Sequence, residues 1–125
     1  MSIKIIGGSS HKDFTQKICA HLGVEETKTQ SFTFSNKNRF FTIDEAVRGD
    51  DVFVVQTQTQ SADVDIIELL IMIRTLHDAS ADRITAVMPY FPYSRSDKKD
   101  QPRVCITARL IADMMVGDFW ASSIT

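Results

Sequence analysis

Residues 89–100 read PYFPYSRSDKKD, a mixture of aromatic rings and charges of both signs. Arg95, Lys98, Lys99 and Arg103 supply positive charge, while Asp97 and Asp100 keep the stretch from being simply basic. That balance suits a nucleotide phosphate and its metal better than a nucleic-acid backbone, which calls for a basic excess. Taken alone, a charge run also reads as a solvated turn. Its setting favours a ligand. It follows an apolar run, residues 84–88, that reads as a buried strand, and it precedes a helical pattern that begins near Val104. Open α/β sheets hold their ligands at the carboxyl ends of strands.

A second candidate lies at Phe34-Ser35-Asn36-Lys37-Asn38, an aromatic with two nearby amides. Such a group can stack on a purine and read its edge by hydrogen bonds. The same residues also compose an ordinary hairpin turn, because Asn is a common turn residue. Gly7-Gly8 follows a strand pattern and precedes a helix, the setting of a phosphate cradle. Neither a three-glycine fingerprint nor a P-loop accompanies it, so a plain strand-to-helix turn is the reading there. His11 is read as a surface histidine. His21 and His77 sit near helix ends, where a protonated imidazole meets the negative end of the dipole. Neither has a partner at metal-ligand spacing, and no nucleophile–base arrangement can be assembled, so neither a catalytic residue nor a metal ligand is assigned.

The elements that position these residues alternate between strand and helix. Residues 3–6 read as a first strand and Gly7-Gly8-Ser9-Ser10 as a tight turn, with Ser9 or Ser10 able to cap the helix that follows. That helix runs to about Leu22, with Phe14, Ile18, Cys19 and Leu22 on one face, and Gly23 fits its left-handed stop. Two runs of β-branched and aromatic residues, 29–34 and 39–43, predict a hairpin with its tip at residues 35–38. Residues 52–55 form a continuous apolar strand of the kind buried on both faces of a parallel sheet. A helix over 64–79 is apolar around almost its whole circumference, with Asp63 and Asp65 at its positive end. One face can pack on the sheet, and the rest calls for a second covering layer, read as a subunit interface. Residues 84–88 form the next strand and 104–115 the last helix, with Gly117 as its expected stop. Residues 118–125, which hold the chain's tryptophan Trp120, are expected to be a truncated tail that could start another strand and expose apolar surface. The pattern predicts one domain over 1–117, an α/β layered sheet with right-handed crossovers.

Composition narrows the function classes. The 125 residues carry a net charge of -2, which argues against a nucleic-acid or membrane-surface binder. The longest apolar run, 66–73, is interrupted by Glu68 and is too short to span a bilayer. Cys19 and Cys105 lie far apart within helical patterns and read as small buried hydrophobes in a reducing, cytoplasmic compartment.

Together these pieces resemble the N-terminal domain of ribose-phosphate pyrophosphokinase. The resemblance rests on Ile5-Ile6-Gly7-Gly8-Ser9-Ser10-His11, Phe34-Ser35-Asn36, Val47-Arg48-Gly49-Asp50-Asp51-Val52, Glu68-Leu69-Leu70-Ile71-Met72-Ile73, Arg83-Ile84-Thr85-Ala86-Val87 and residues 89–100. It implies a phosphoribosyltransferase-like parallel sheet flanked by helices, with a small β-hairpin flap. In the family a second similar domain follows, and subunits assemble into hexamers. The family transfers the diphosphoryl group of ATP to ribose 5-phosphate with Mg²⁺. Arg95, Ser96, Asp97, Lys98, Lys99 and Asp100 then correspond to the part that holds the adenine and phosphates of ATP. Phe34, Asn36 and Asn38 correspond to the hairpin that reaches a neighbouring subunit's ATP. Asn38 stands where the family usually has an acidic residue and Ser96 where a glutamine is usual. The family's metal-binding histidine, its mobile basic loop and its ribose-phosphate loop have no counterpart in these residues. The expectation is therefore half of an ATP site plus oligomer contacts, without turnover alone. Its partners would be ATP or ADP and copies of itself or full-length synthase subunits. The alternative is a non-catalytic, synthase-associated regulatory subunit.

Overall fold

A computed structural model describes residues 2–57, 59, 61–90, 93, 101–103, 105–118 and 121–125. Strand β1 (Ile3–Gly7) leads into helix α1 (Lys12–Leu22), then a hairpin of β2 (Thr29–Thr33) and β3 (Arg39–Ile43). Strand β4 (Asp51–Val55), helix α2 (Ala62–Asp78), strand β5 (Arg83–Val87), helix α3 (Thr107–Asp113) and strand β6 (Ser123–Ile124) complete the order. The main sheet runs β1-β4-β5-β6, and all its neighbours are parallel. The hairpin is a separate antiparallel pair. The expected layered α/β fold with a hairpin flap is thus observed.

Strand alternation divides the core. Ile6, Val54 and Ala86 share one register row and face α2 and α3, where Leu69, Met72, Ile73 and Leu76 are fully buried. Burial of each such side chain contributes about 1.5–3 kcal/mol. Ile5 and Val55 point to the other face, where Cys19 of α1 joins them with Phe14, Ile18 and Phe53 at the margin. Gly23, at φ 71°, closes α1 in the left-handed conformation and donates its N–H to the last turn. Among the described residues no helix is long and apolar enough to cross a membrane.

Several expectations change. Neither Ser9 nor Ser10 caps α1: His11 does, its Nδ1 accepting from the Phe14 N–H at 3.0 Å. The serine hydroxyls are drawn inward instead, to buried acceptors on α2 and after β4. Helix α3 begins at Thr107 rather than near Val104, which lies outside the described residues. Arg103 takes a left-handed φ of 62° and Ile106 is extended, so the chain is still turning where the apolar spacing suggested helix. Cys105 consequently sits before the helix and is exposed, whereas Cys19 is buried. Gly117 does not stop the helix, since α3 passes into a π-helical turn over Met114–Asp118 with no left-handed glycine. Ser123–Ile124 do form a strand, whereas Trp120 lies outside the described residues.

Candidate functional site

The carboxyl edge of the sheet is built from the Gly7–Ser10 turn, the Gln56–Thr57 segment after β4 and the Met88–Tyr90 segment after β5. Backbone hydrogen bonds align them, Gly8 N–H to Val55 O at 2.9 Å and Gln56 N–H to Val87 O at 3.0 Å. Tyr90 N–H donates to Thr57 Oγ1 at 3.2 Å, joining the β5 loop to the β4 loop. Further along, Tyr93 donates its hydroxyl to Asp63 at the start of α2. That hydrogen bond, and then the carboxylate's charge, push the Tyr93 phenol above its ordinary pKa. Arg95, Ser96, Asp97, Lys98, Lys99 and Asp100 lie outside the described residues.

Beneath this edge lies a buried polar cluster that sequence reasoning missed. Glu68, 4% exposed, accepts from Ser9 N–H at 3.0 Å, Ser9 Oγ at 2.6 Å and Gln56 Nε2 at 3.0 Å. Gln56, 2% exposed, accepts from Ser10 Oγ at 2.6 Å and also donates to the Asp65 carbonyl at 3.1 Å. Asp65 takes both the N–H and the hydroxyl of Thr59 at 2.7 Å, at the positive end of α2. Arg39, the first residue of β3, places Nη1 3.8 Å from Glu68 Oε1. Burying a carboxylate is costly unless hydrogen bonds compensate it; three of them hold Glu68, and Arg39 adds an opposite charge at longer range. The available signal was Glu68 itself, a charge inside an apolar helical run.

The hairpin tip carries Phe34, Asn36 and Asn38 together. Phe34 N–H donates to Asn38 O at 2.7 Å, and Lys37, at φ 72°, donates to Phe34 O at 2.9 Å. Asn36 Oδ1 accepts the Asn38 N–H at 3.1 Å, so its oxygen shapes the turn, and an amide can also offer its NH₂ as a donor. Cross-strand register puts Phe32 opposite Phe40, and the two rings stack with centroids 4.8 Å apart. Phe34 stands edge-on to Phe32 at 5.0 Å. These three rings, each more than two-fifths exposed, make an aromatic outer face. On the inner face Phe41 and Ile43 pack against the main core at the hairpin base. Between the tip and α2 runs a groove of 560 Å³ whose lining includes Lys37, Asn38 and Arg39 from the hairpin and Asp63, Val64 and Ile67 from α2.

The Gly7-Gly8 turn is explained by packing. A Cβ on Gly7 would fall 2.5 Å from Thr15 Oγ1, and one on Gly8 2.1 Å from Gln56 Oε1. His11 is spent on its cap, and His77 lies 3.3 Å from Asp78. Among the described residues no group of three or more His, Cys, Asp or Glu side chains could hold a metal ion.

Fold and site together define a parallel α/β domain that offers a polar carboxyl edge and an aromatic hairpin. The chain belongs to the family described as the N-terminal domain of ribose phosphate pyrophosphokinase, which its residues 3–117 match. Over 114 residues it is 46% identical to ribose-phosphate pyrophosphokinase 2 of Schizosaccharomyces pombe, covering 91% of this chain and 36% of that protein. The crystal structure of phosphoribosylpyrophosphate synthetase from Mycobacterium smegmatis superposes with a TM-score of 0.95 at 36% identity. That similarity covers 99% of this chain and 41% of the other. The chain thus spans little more than a third of the curated relative.

Proposed function

We propose that this chain supplies the nucleotide-binding half of a ribose-phosphate pyrophosphokinase site, working in the cytoplasm on ATP and ribose 5-phosphate. In this reading Arg95 to Asp100 hold the base and phosphates of one ATP, while Phe34 stacks on the adenine of a neighbouring copy's ATP and the Asn36 and Asn38 amides meet that base's edge. An exposed ring beside amides can form such a platform without rearrangement, because Phe32 and Phe40 already support it. Mg²⁺ enters with the ATP phosphates, and no residue of this chain is assigned to it. The chain alone performs no diphosphoryl transfer, since that chemistry is mostly positioning and charge stabilisation around both substrates. The observation that carries the reading is the aromatic tip on a domain of this family.

Calorimetry with ADP tests it. Arg95→Ala and Phe34→Ala should each weaken binding at least about tenfold, as expected for one lost stacking or charge-assisted contact. Unchanged affinity in both variants would place the nucleotide elsewhere. Incubation with ATP, Mg²⁺ and ribose 5-phosphate should yield no phosphoribosyl diphosphate; turnover would defeat the half-site reading.

A second reading, a non-catalytic subunit that joins full-length synthases, draws on the exposed apolar flank of α2. Val64 is 42% and Ile67 50% exposed there, and Leu110 of α3 is 48% exposed. Asn38 and Ser96, at positions where the family is usually acidic and Gln, fit relaxed nucleotide selection.

A further inference from the structure

We infer that Arg39 and the buried Glu68 act as a latch, positioning residues that hold the hairpin tip over α2 and tie it to the carboxyl edge of the sheet. The mechanical claim stands on geometry. Its consequence for ligand binding rests on the nucleotide reading above.

The hairpin is anchored at its base and loosely held at its tip. At the base, Asp44 N–H bonds Lys28 O at 2.8 Å, Lys28 N–H bonds Glu45 Oε2 at 2.6 Å, and Phe41 and Ile43 join the core. A two-stranded ribbon is marginal without such packing. Towards the tip the open groove separates Lys37 and Asn38 from Val64 and Ile67. The ion pair between Arg39 and Glu68 bridges that gap.

Glu68 is an expensive choice for the inside of α2. An apolar residue would fill the space without a desolvation penalty, and a buried charge is better suited to fixing one arrangement among several. Its carboxylate already holds the Ser9 turn and, through Gln56, the segment after β4. Arg39 adds the hairpin to the same group. Three separate segments that border the candidate site therefore share one anion. Because β3 alternates, Arg39 is on the inner face with Phe41 and Ile43, and its seating sets the height of Asn38, the next residue.

The test is amide hydrogen exchange on the full chain, comparing wild type with Arg39→Met and Arg39→Lys, alongside ADP calorimetry. Arg39 is partly exposed, so both variants should fold, and circular dichroism checks this. In Arg39→Met, exchange should rise roughly 3- to 10-fold across residues 33–40, with α2, β1 and β4 unchanged, and ADP affinity should fall by a similar factor. Arg39→Lys should restore most of the protection. Wild-type exchange at the tip of Arg39→Met would overturn the latch. A uniform rise through the sheet and α2 would also overturn it, by showing a general stabilising contact. A local rise with no ADP binding in any variant, wild type included, would uphold the latch and defeat the nucleotide reading.

Discussion

Gly8 shows how a single residue can be misread from its neighbours. A glycine pair between a strand and a helix suggests a phosphate cradle, yet the space a Cβ would need is occupied by the Gln56 carboxamide. Gln56 cannot move aside cheaply, because Ser10, Glu68 and the Asp65 carbonyl all hold it. Gly8→Ala should therefore lose about 1–3 kcal/mol of stability through overpacking, read from urea unfolding. Gly117→Ala is the control. A Cβ there meets nothing within 4 Å, and the backbone is not left-handed, so stability should hold or rise. Equal losses in both would refute the packing account. The nearby serines teach the same lesson: their types fit helix caps, but the buried carboxylate and carboxamide compete for them and win.

Among the elements, α2 carries the most. Its apolar positions exceed what one sheet face can cover, and the structure resolves the excess into a buried face and a flank that exposes Val64 and Ile67. The polar residues of α2 do the local tying. Asp65 gathers Thr59, Glu68 gathers Ser9 and Arg39, and Asp63 receives the Tyr93 hydroxyl. The last contact joins the loop after β5 to the start of α2 and should respond to pH. Tyr93 has a folded pKa raised above the unfolded value, so the tie is intact below the ordinary phenol range and is lost as pH rises through the raised value. In a Tyr90→Phe background, phenolate absorbance should titrate above a free tyrosine, and Asp63→Asn should bring the midpoint back down. A midpoint indifferent to Asp63→Asn would remove the tie.

At the scale of the molecule, apolar surface remains uncovered among the described residues beside β1 and α1, where Ile3, Ile18, Leu22 and Phe53 line a groove of 260 Å³, and at two further places. One is the aromatic outer face of the hairpin. The other runs along α2 to α3, where a second groove of 280 Å³ is lined by Ile66, Ile67, Leu110 and Met114. Patches of this kind mark association sites. If the flank of α2 is where copies of this chain or full-length synthase subunits dock, tagged chain co-expressed with a full-length synthase should co-purify with it. Ile67→Asp should abolish recovery while leaving the melting temperature within a few degrees, because that side chain is half exposed. Co-purification undiminished by Ile67→Asp would move the contact elsewhere.

Much was legible in the linear order of residues, for a physical reason. Periodicity and local turn chemistry are short-range properties, so the alternating strands and helices, the hairpin over residues 29–43 and the Gly23 stop could be read directly. Motif spacing carried the family in the same way, because Phe34-Ser35-Asn36 and the Glu68 helix are contiguous words. Tertiary structure alone decided which side chains meet. Glu68 finds Ser9 across fifty-nine positions of chain and Gln56 across twelve, and Arg39 comes from a separate hairpin. No local pattern encodes such encounters, since they arise only when the sheet brings its carboxyl ends together and leaves one buried anion to be satisfied.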